Sequence, residues 1–241
     1  NDRLLGVYNS ILNSTKRTFE LIIIGPNPLP IELLNKKEVI YVSSFAAPIV
    51  ASQMGATLAR GDIFLWSADD AVFLADALDN NIDLLKSKGS NYKNVVVAKY
   101  FEGVNGSQKP LQPDEYFTIN GSTWTASPFA KNDWWIFNVA IMHRQFFEEL
   151  GGWDCSYESC PLSHTNLAIR AYLAGADVQM SLFPLLDCDH SQPDHRPIES
   201  AMIGHDAPLY KTQFCGPSLN IPVIKMSDWK NFPEVWDKRF S

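Results

Sequence analysis

The chain has 241 residues, 46% hydrophobic and 20% charged, enough to bury the core of one large α/β domain or two small ones. A formal net charge of −7, with no basic run, argues against an extended nucleic-acid surface. No apolar stretch approaches a membrane span and no signal peptide opens the chain, so only peripheral membrane association stays open. Cys155, Cys160, Cys188 and Cys215 form no dense framework and read as reduced thiols in a cytoplasmic setting.

Leu4, Val7, Tyr8, Ile11 and Leu12 recur with helical period and predict an amphipathic helix stopping near Asn13-Ser14. Phe19 to Ile24 reads as a strand, turned by Gly25-Pro26-Asn27-Pro28. Val39 to Val42 is a further extended piece closed by Ser43-Ser44. Pro48 suits a first helical turn, and Val50, Met54 and Leu58 lead to a stop at Gly61. Ile63 to Trp66 is an apolar run too short for a helix and predicts a strand buried on both faces.

That strand runs into two carboxylates, Asp69 and Asp70. In an open α/β sheet ligands sit beyond the carboxyl ends of the strands. Two acids there fit a hard divalent cation bridging to a phosphate. They also fit the N-terminus of a helix, where exposed amides favour Asp.

Leu74, Leu78, Ile82 and Leu85 mark the next helix, ended by Gly89, and Asn94 to Tyr100 the next strand. From Glu102 to Lys131 the pattern dissolves into Gly, Asn, Ser and Pro, a long loop of the kind that carries function. Trp134 to Met142 is apolar again, and Arg144 to Leu150 reads as a short helix stopped by Gly151-Gly152. His164 to Ala174 predicts a helix and Val178 to Phe183 a strand; the tail from Asp187 is rich in Pro, His and aromatics. Alternating strands and helices imply a parallel, doubly wound sheet. Such a sheet normally begins with a strand, whereas this chain opens on a helix. Either residues before Asn1 are absent or the sheet is one strand short.

The order of these segments resembles a family-2-type glycosyltransferase with the GT-A fold, over about residues 3 to 190. Asp62 to Asp70 is similar to that family's Gly-Asp-strand-DxD segment, and Gly151-Gly152-Trp153-Asp154 to its Gly-Gly-Phe-Asp turn. Ser163-His164-Thr165-Asn166-Leu167-Ala168-Ile169-Arg170 is similar to its Glu-Asp-x-Asp-Leu-x-x-Arg helix start. The resemblance implies an α/β, GT-A-like (Rossmann-like) fold with a mostly parallel central sheet flanked by helices, its first strand lying before Asn1. Within one domain, residues 1–100 would bind a nucleotide-sugar, 101–190 would carry acceptor and catalytic groups, and 191–241 would form a lid and tail.

It also implies roles. Asp70 would hold a divalent metal (Mn²⁺ or Mg²⁺) bridging to the donor diphosphate, and Asp69 would touch the ribose or assist the metal. His190 stands where the family often has a further metal ligand. Asn27, Ser44 and Gln53 lie on the donor side, whereas Arg60 reads as a solvated helix-end charge. His164 occupies the position of the general base, with Asp154 or Glu158 as the alternative. Trp134, Trp135 and Trp153 are candidates to stack on acceptor sugars, with core packing as the competing explanation for at least one of the adjacent pair. The expected activity is transfer of a sugar, UDP-sugar preferred, to a glycan or other hydroxyl acceptor with inversion.

The departures are specific. Ala68 stands in place of the first acid of DxD, and Ser163-His164 in place of Glu-Asp. They motivate a second reading, a non-catalytic protein that binds nucleotide-sugar or glycan. A nucleotidyltransferase should carry a Gly-rich, Lys/Arg-bearing phosphate loop, and a methyltransferase a glycine-rich turn where Gly25 meets Pro26; neither is visible. A zinc site from Cys155, Cys160, Cys188 and His190 would lack a Cys-x-x-Cys pair.

Overall fold

The computed structural model describes residues 2–103, 109–110, 118–119, 122–123, 137–189, 196–214 and 220–240. In chain order the strands are β1 (Leu21–Gly25), β2 (Val39–Ser43), β3 (Ile63–Leu65), β4 (Ala71–Phe73), β5 (Asn94–Gly103), β6 (Lys109–Pro110), β7 (Thr118–Ile119), β8 (Ser122–Thr123), β9 (Ala140–His143) and β10 (Asp177–Asp189). The α-helices are α1 (Asp2–Ser14), α2 (Pro48–Leu58), α3 (Ala77–Ser87), α4 (Arg144–Glu149), α5 (Cys160–Leu173), α6 (Arg196–Ala201) and α7 (Ala207–Phe214).

The fold class is α/β as expected, but the sheet is mixed and not mostly parallel. Its strand order is β3-β9-β5-β10-β4, with β6 added to β5, and only β5 and β10 run parallel. β9 enters antiparallel between β3 and β5, and β4 pairs antiparallel with β10. β9 pairs antiparallel with both neighbours, so this step of the sheet is not the parallel unit that alternating strands and helices imply. β1 and β2 form a separate parallel pair.

Helices cover both faces. Val95, Val96 and Val97 of β5 are at most 2% exposed, because a strand sandwiched between layers buries successive side chains on opposite faces. Val7 and Ile11 of α1 and Leu78 and Leu85 of α3 close one face; Ile49 and Ala56 of α2 and Leu167, Ala168 and Ala171 of α5 close the other. The C-terminal segment straps across the start of α2: the Trp236 N–H donates to Phe45 O at 2.8 Å, and the Arg239 guanidinium to Ala46 O at 2.9 Å.

Asp69-Asp70 lead not into a helix but into β4, which sequence periodicity merges with the following helix. That removes the helix-cap explanation of the acid pair: α3 starts only after Asp76, a left-handed residue with φ 56°. The ends of α1 and α3 instead bond each other. Ser14 Oγ accepts the Leu78 N–H at 2.9 Å, and the Asp79 carboxylate accepts the Thr15 hydroxyl and the Lys16 N–H. Ser14 is fully buried, so its loss strands an amide away from water. Ser14→Ala should lower unfolding free energy by about 1–2 kcal/mol in urea denaturation.

Candidate functional site

The predicted donor residues Asn27, Ser44, Asp69 and Asp70 each follow the end of a strand. Asn27 is exposed in the turn after β1. Ser44 follows β2, whose Ser43 pairs with Gly25. Ser44 is buried and its Oγ accepts the Ala46 N–H at 3.2 Å, shaping the entry to α2. Exposed Asp69 and half-buried Asp70 lie beyond β3. β10 pairs antiparallel with β4, Cys188 opposite Ala71 and Asp187 opposite Val72. Continued by one residue, this register brings position 70 opposite position 189, so β10 ends beside the acid pair. His190 itself lies outside the described residues, as do Trp134, Trp135 and Cys215. Among the described residues no group of three His, Cys, Asp or Glu side chains is placed to hold a metal.

Gln53 is placed otherwise than a donor contact requires. It is fully buried; its Nε2 donates to Gly151 O at 2.9 Å and Met226 O at 3.2 Å, and its Oε1 accepts the Trp153 N–H at 2.7 Å. Arg170 grips the same turn from the other side, donating to Leu150 O and Gly152 O, each at 2.6 Å, while its Nε bonds Asn166 Oδ1 at 2.7 Å. Burial pulls its pKa down to about 10, which leaves it charged at neutral pH. The two glycines are required here. Both have positive φ, and a Cβ would fall 2.0 Å from Ile224 O at Gly151 and 2.3 Å from Gln53 Oε1 at Gly152.

The turn delivers Trp153 and Asp154. Trp153 is 1% exposed, so its rings serve packing rather than stacking on a ligand, the competing explanation raised for its neighbours. Asp154 is also buried, accepting from Ser156 N at 3.0 Å, Gln213 Nε2 at 3.1 Å and Asn166 Nδ2 at 3.4 Å. Its carboxylate is an anchor between α5 and α7. Glu158, the other alternative base, is paired with Lys238.

α5 starts at Cys160, four residues earlier than the sequence suggests, with Pro161 in its first turn. Asp206 supplies its cap: the carboxylate accepts Glu158 N and Ser159 N, each at 2.9 Å, and the Ser159 hydroxyl. His164 therefore stands one turn inside the helix and not at its end. It is 8% exposed, its ring 4.9 Å from Trp153 and 5.7 Å from Trp66 between centroids. Burial pushes its pKa down to about 3, so the imidazole is neutral at physiological pH.

Trp66 is a residue the sequence reading passed over as the end of a core strand. Its Nε1 donates to Asn138 O at 3.0 Å, and its ring meets Trp153 edge-on at 4.6 Å. It is half-buried and joins the strand leading to Asp69-Asp70 with the ring of His164. Its position three residues before Asp69 was the available signal. Burial also raises the thiols, Cys155 to about 12 and Cys160 to about 11, so neither is a thiolate nucleophile.

Comparison with solved structures finds the same kind of fold in TarS of S. aureus, a glycosyltransferase. A crystal structure of TarS 1-349 has a TM-score of 0.55 at 14% identity, covering 78% of this chain and 56% of that one. A second TarS structure has a TM-score of 0.56 at 15% identity, covering 84% of this chain and 37% of that one. The chain thus spans about half or less of these structures, and the likeness establishes a glycosyltransferase-like fold. No protein family matches the sequence, and no curated protein does.

Gln53→Ala should cost about 2–4 kcal/mol, because Gly151 O and Trp153 N lose buried partners; urea unfolding checks it. His164 gives a pH signature. The unfolded chain protonates it near the ordinary value of 6.5, while the folded chain keeps it neutral down to about 3. Its contribution is therefore complete above pH 6.5 and is lost as pH falls, by up to about 1.4 kcal/mol per pH unit. His164→Gln should flatten the stability–pH slope between pH 6.5 and 4; a ring resonance titrating near 6.5 would contradict the assignment.

Proposed function

We propose that the chain is a glycosyltransferase that moves a sugar from a nucleotide-sugar donor, UDP-sugar preferred, to a glycan or other hydroxyl acceptor, with inversion. The observation that carries this reading is the register of β4 on β10, which brings the end of β10 to Asp69-Asp70 at the carboxyl edge of a glycosyltransferase-like sheet. The chemistry of the residues suits a divalent cation: Asp69 and Asp70 offer hard oxygen ligands, and His190, next after β10 in sequence, would add an imidazole. A Mn²⁺ or Mg²⁺ ion bound there would supply Lewis-acid stabilisation of the departing diphosphate.

The chain's own groups account for the other requirements. Asn27 and Ser44 would border the donor side, and exposed Asp69 would touch the ribose or assist the metal. We assign the base to His164, because its neutral imidazole is the form that can take a proton, whereas Asp154 already accepts three hydrogen bonds. In the transfer the acceptor oxygen bonds to the anomeric carbon, its proton passes to His164, and the bond from that carbon to the diphosphate oxygen breaks. Trp66 orients the His164 ring, while Trp134 and Trp135 remain candidates for the acceptor.

One observation favours a second reading, a non-catalytic protein that binds nucleotide-sugar or glycan. A pKa near 3 makes His164 a weak base. The two readings separate in one assay series. Thermal-shift and calorimetric titrations with UDP, GDP and TDP, with and without Mn²⁺, should show one nucleotide binding only with metal, weakened more than about 10-fold in Asp70→Ala. Sugar release or transfer that His164→Ala reduces about 100-fold or more supports the enzyme; binding without turnover supports the second reading. Absence of nucleotide binding in every condition overturns the enzyme and the nucleotide-sugar form of the second reading, leaving only glycan binding.

A further inference from the structure

The strand that runs into the acid pair also carries a ring that touches the imidazole. Phe64 and Trp66 pack toward the layer of α2 and α5, whereas Ile63 and Leu65 pack under α1. Trp66 comes three residues before Asp69, a chain distance of at most about 10 Å. Its ring lies 5.7 Å from the His164 ring between centroids. It is therefore within reach of both the acids and the imidazole, at the carboxyl end of β3.

The ring is fixed yet only partly covered. Its Nε1–H donates to Asn138 O at 3.0 Å, and Trp153 meets it edge-on at 4.6 Å. Phe64 and Phe147 tilt against it at 6.1 and 6.4 Å. Trp153 and Phe147 are each 1% exposed and His164 8%, as members of a closed core are. Trp66 shares these neighbours but stays half-buried. Packing accounts for Trp153; it leaves the open part of Trp66 without a use. An apolar surface held in one orientation can cover an apolar face at little ordering cost.

Inverting transfer limits what can lie there. The anomeric carbon is attacked on the side opposite the departing diphosphate, so the moving sugar spans from the diphosphate to the base. With the diphosphate at Asp69-Asp70 and the acceptor proton going to His164, that sugar would pass over Trp66. We propose that Trp66 is the platform for the transferred sugar, stacking on a pyranose ring through a face free of axial hydroxyls. Such a face is made of C–H bonds, which an aromatic surface meets without stripping water from a polar group. An axial hydroxyl pressed on the ring is left unpaired, because the one polar atom of the indole already bonds Asn138 O. This role of Trp66 rests on the transferase reading and adds to it the shape of the sugar.

Affinities for a nucleotide with and without its sugar separate this role from packing. Calorimetry with Mn²⁺ compares the diphosphate selected by the titrations above (UDP, GDP or TDP) with its glucose conjugate, whose ring has no axial hydroxyl on either face. Trp66→Leu should raise the ratio of the two Kd values, conjugate over diphosphate, about 10-fold, with the diphosphate's own Kd changed less than about 3-fold. Trp66→Phe, which keeps an apolar ring, should hold the ratio within about 3-fold. Trp153→Phe disturbs the same cluster from a buried position and should leave the ratio within about 2-fold. In the unaltered protein, saturation-transfer NMR with the aromatic protons irradiated should label the C–H protons of the glucose ring. Equal weakening of both ligands in Trp66→Leu overturns the proposal, as does an unchanged ratio or the same change from Trp153→Phe. So does a glucose conjugate that fails to bind where its diphosphate binds, or labelling confined to the nucleotide. Each of these leaves nucleotide binding, and with it the transferase reading, standing; a protein that binds no nucleotide removes both.

Discussion

The turn Gly151-Gly152-Trp153 is the constraint on which the site depends. Its two glycines adopt backbone conformations closed to other residues, and its carbonyls and amide are gripped by Gln53 from α2 and Arg170 from α5. Gln53 and Arg170 are both buried, so each bond lost leaves a polar group away from water. Through this turn the helix covering β1 is tied to the helix carrying His164. The C-terminal segment is tied in as well, because Gln53 also bonds Met226 O and the Gly151 position lies against Ile224.

From the turn a polar network extends inward. Asp154 binds Asn166 and Gln213, Tyr157 donates to Gln213, and Arg170 donates to Asn166. Burial together with the Asp154 charge holds the Tyr157 hydroxyl far above its ordinary pKa, so it stays a donor. Asp206 closes the open end of α5. A network of this kind fixes α5 against α7 in one arrangement, since shifting either helix breaks several buried bonds together. His164 is held at the edge of this rigid block, between Trp153 and Trp66. A base on such a scaffold gains precise placement at the expense of basicity, and the same burial that orients the ring lowers its pKa.

Much of this was legible in the chain. The apolar run Ile63–Trp66 ending in two acids gave a strand and a candidate ligand edge, because short apolar runs bounded by Gly have few alternatives. Gly151-Gly152 announced a forced turn. That Trp66 packs on Trp153 and that Asp206 caps α5 were not legible, since each acts through residues about 50 to 100 positions away. Gln53 was read as facing a donor because helical spacing alone does not say what opposes a polar side chain.

Local chemistry determined the secondary elements, the acid pair at a strand end and the glycines of the turn, since all three follow from side-chain shape and backbone freedom within a few residues. Strand direction and the use of each polar group were decided by tertiary structure. β9 runs against β3 and β5, a direction fixed by pairing with strands that lie 40 or more positions away in sequence. β4 exists as a strand only because β10 lies beside it. Gln53 is an anchor and His164 a neutral ring because of the layers that close over them, and burial of this kind is set by contacts distant in sequence.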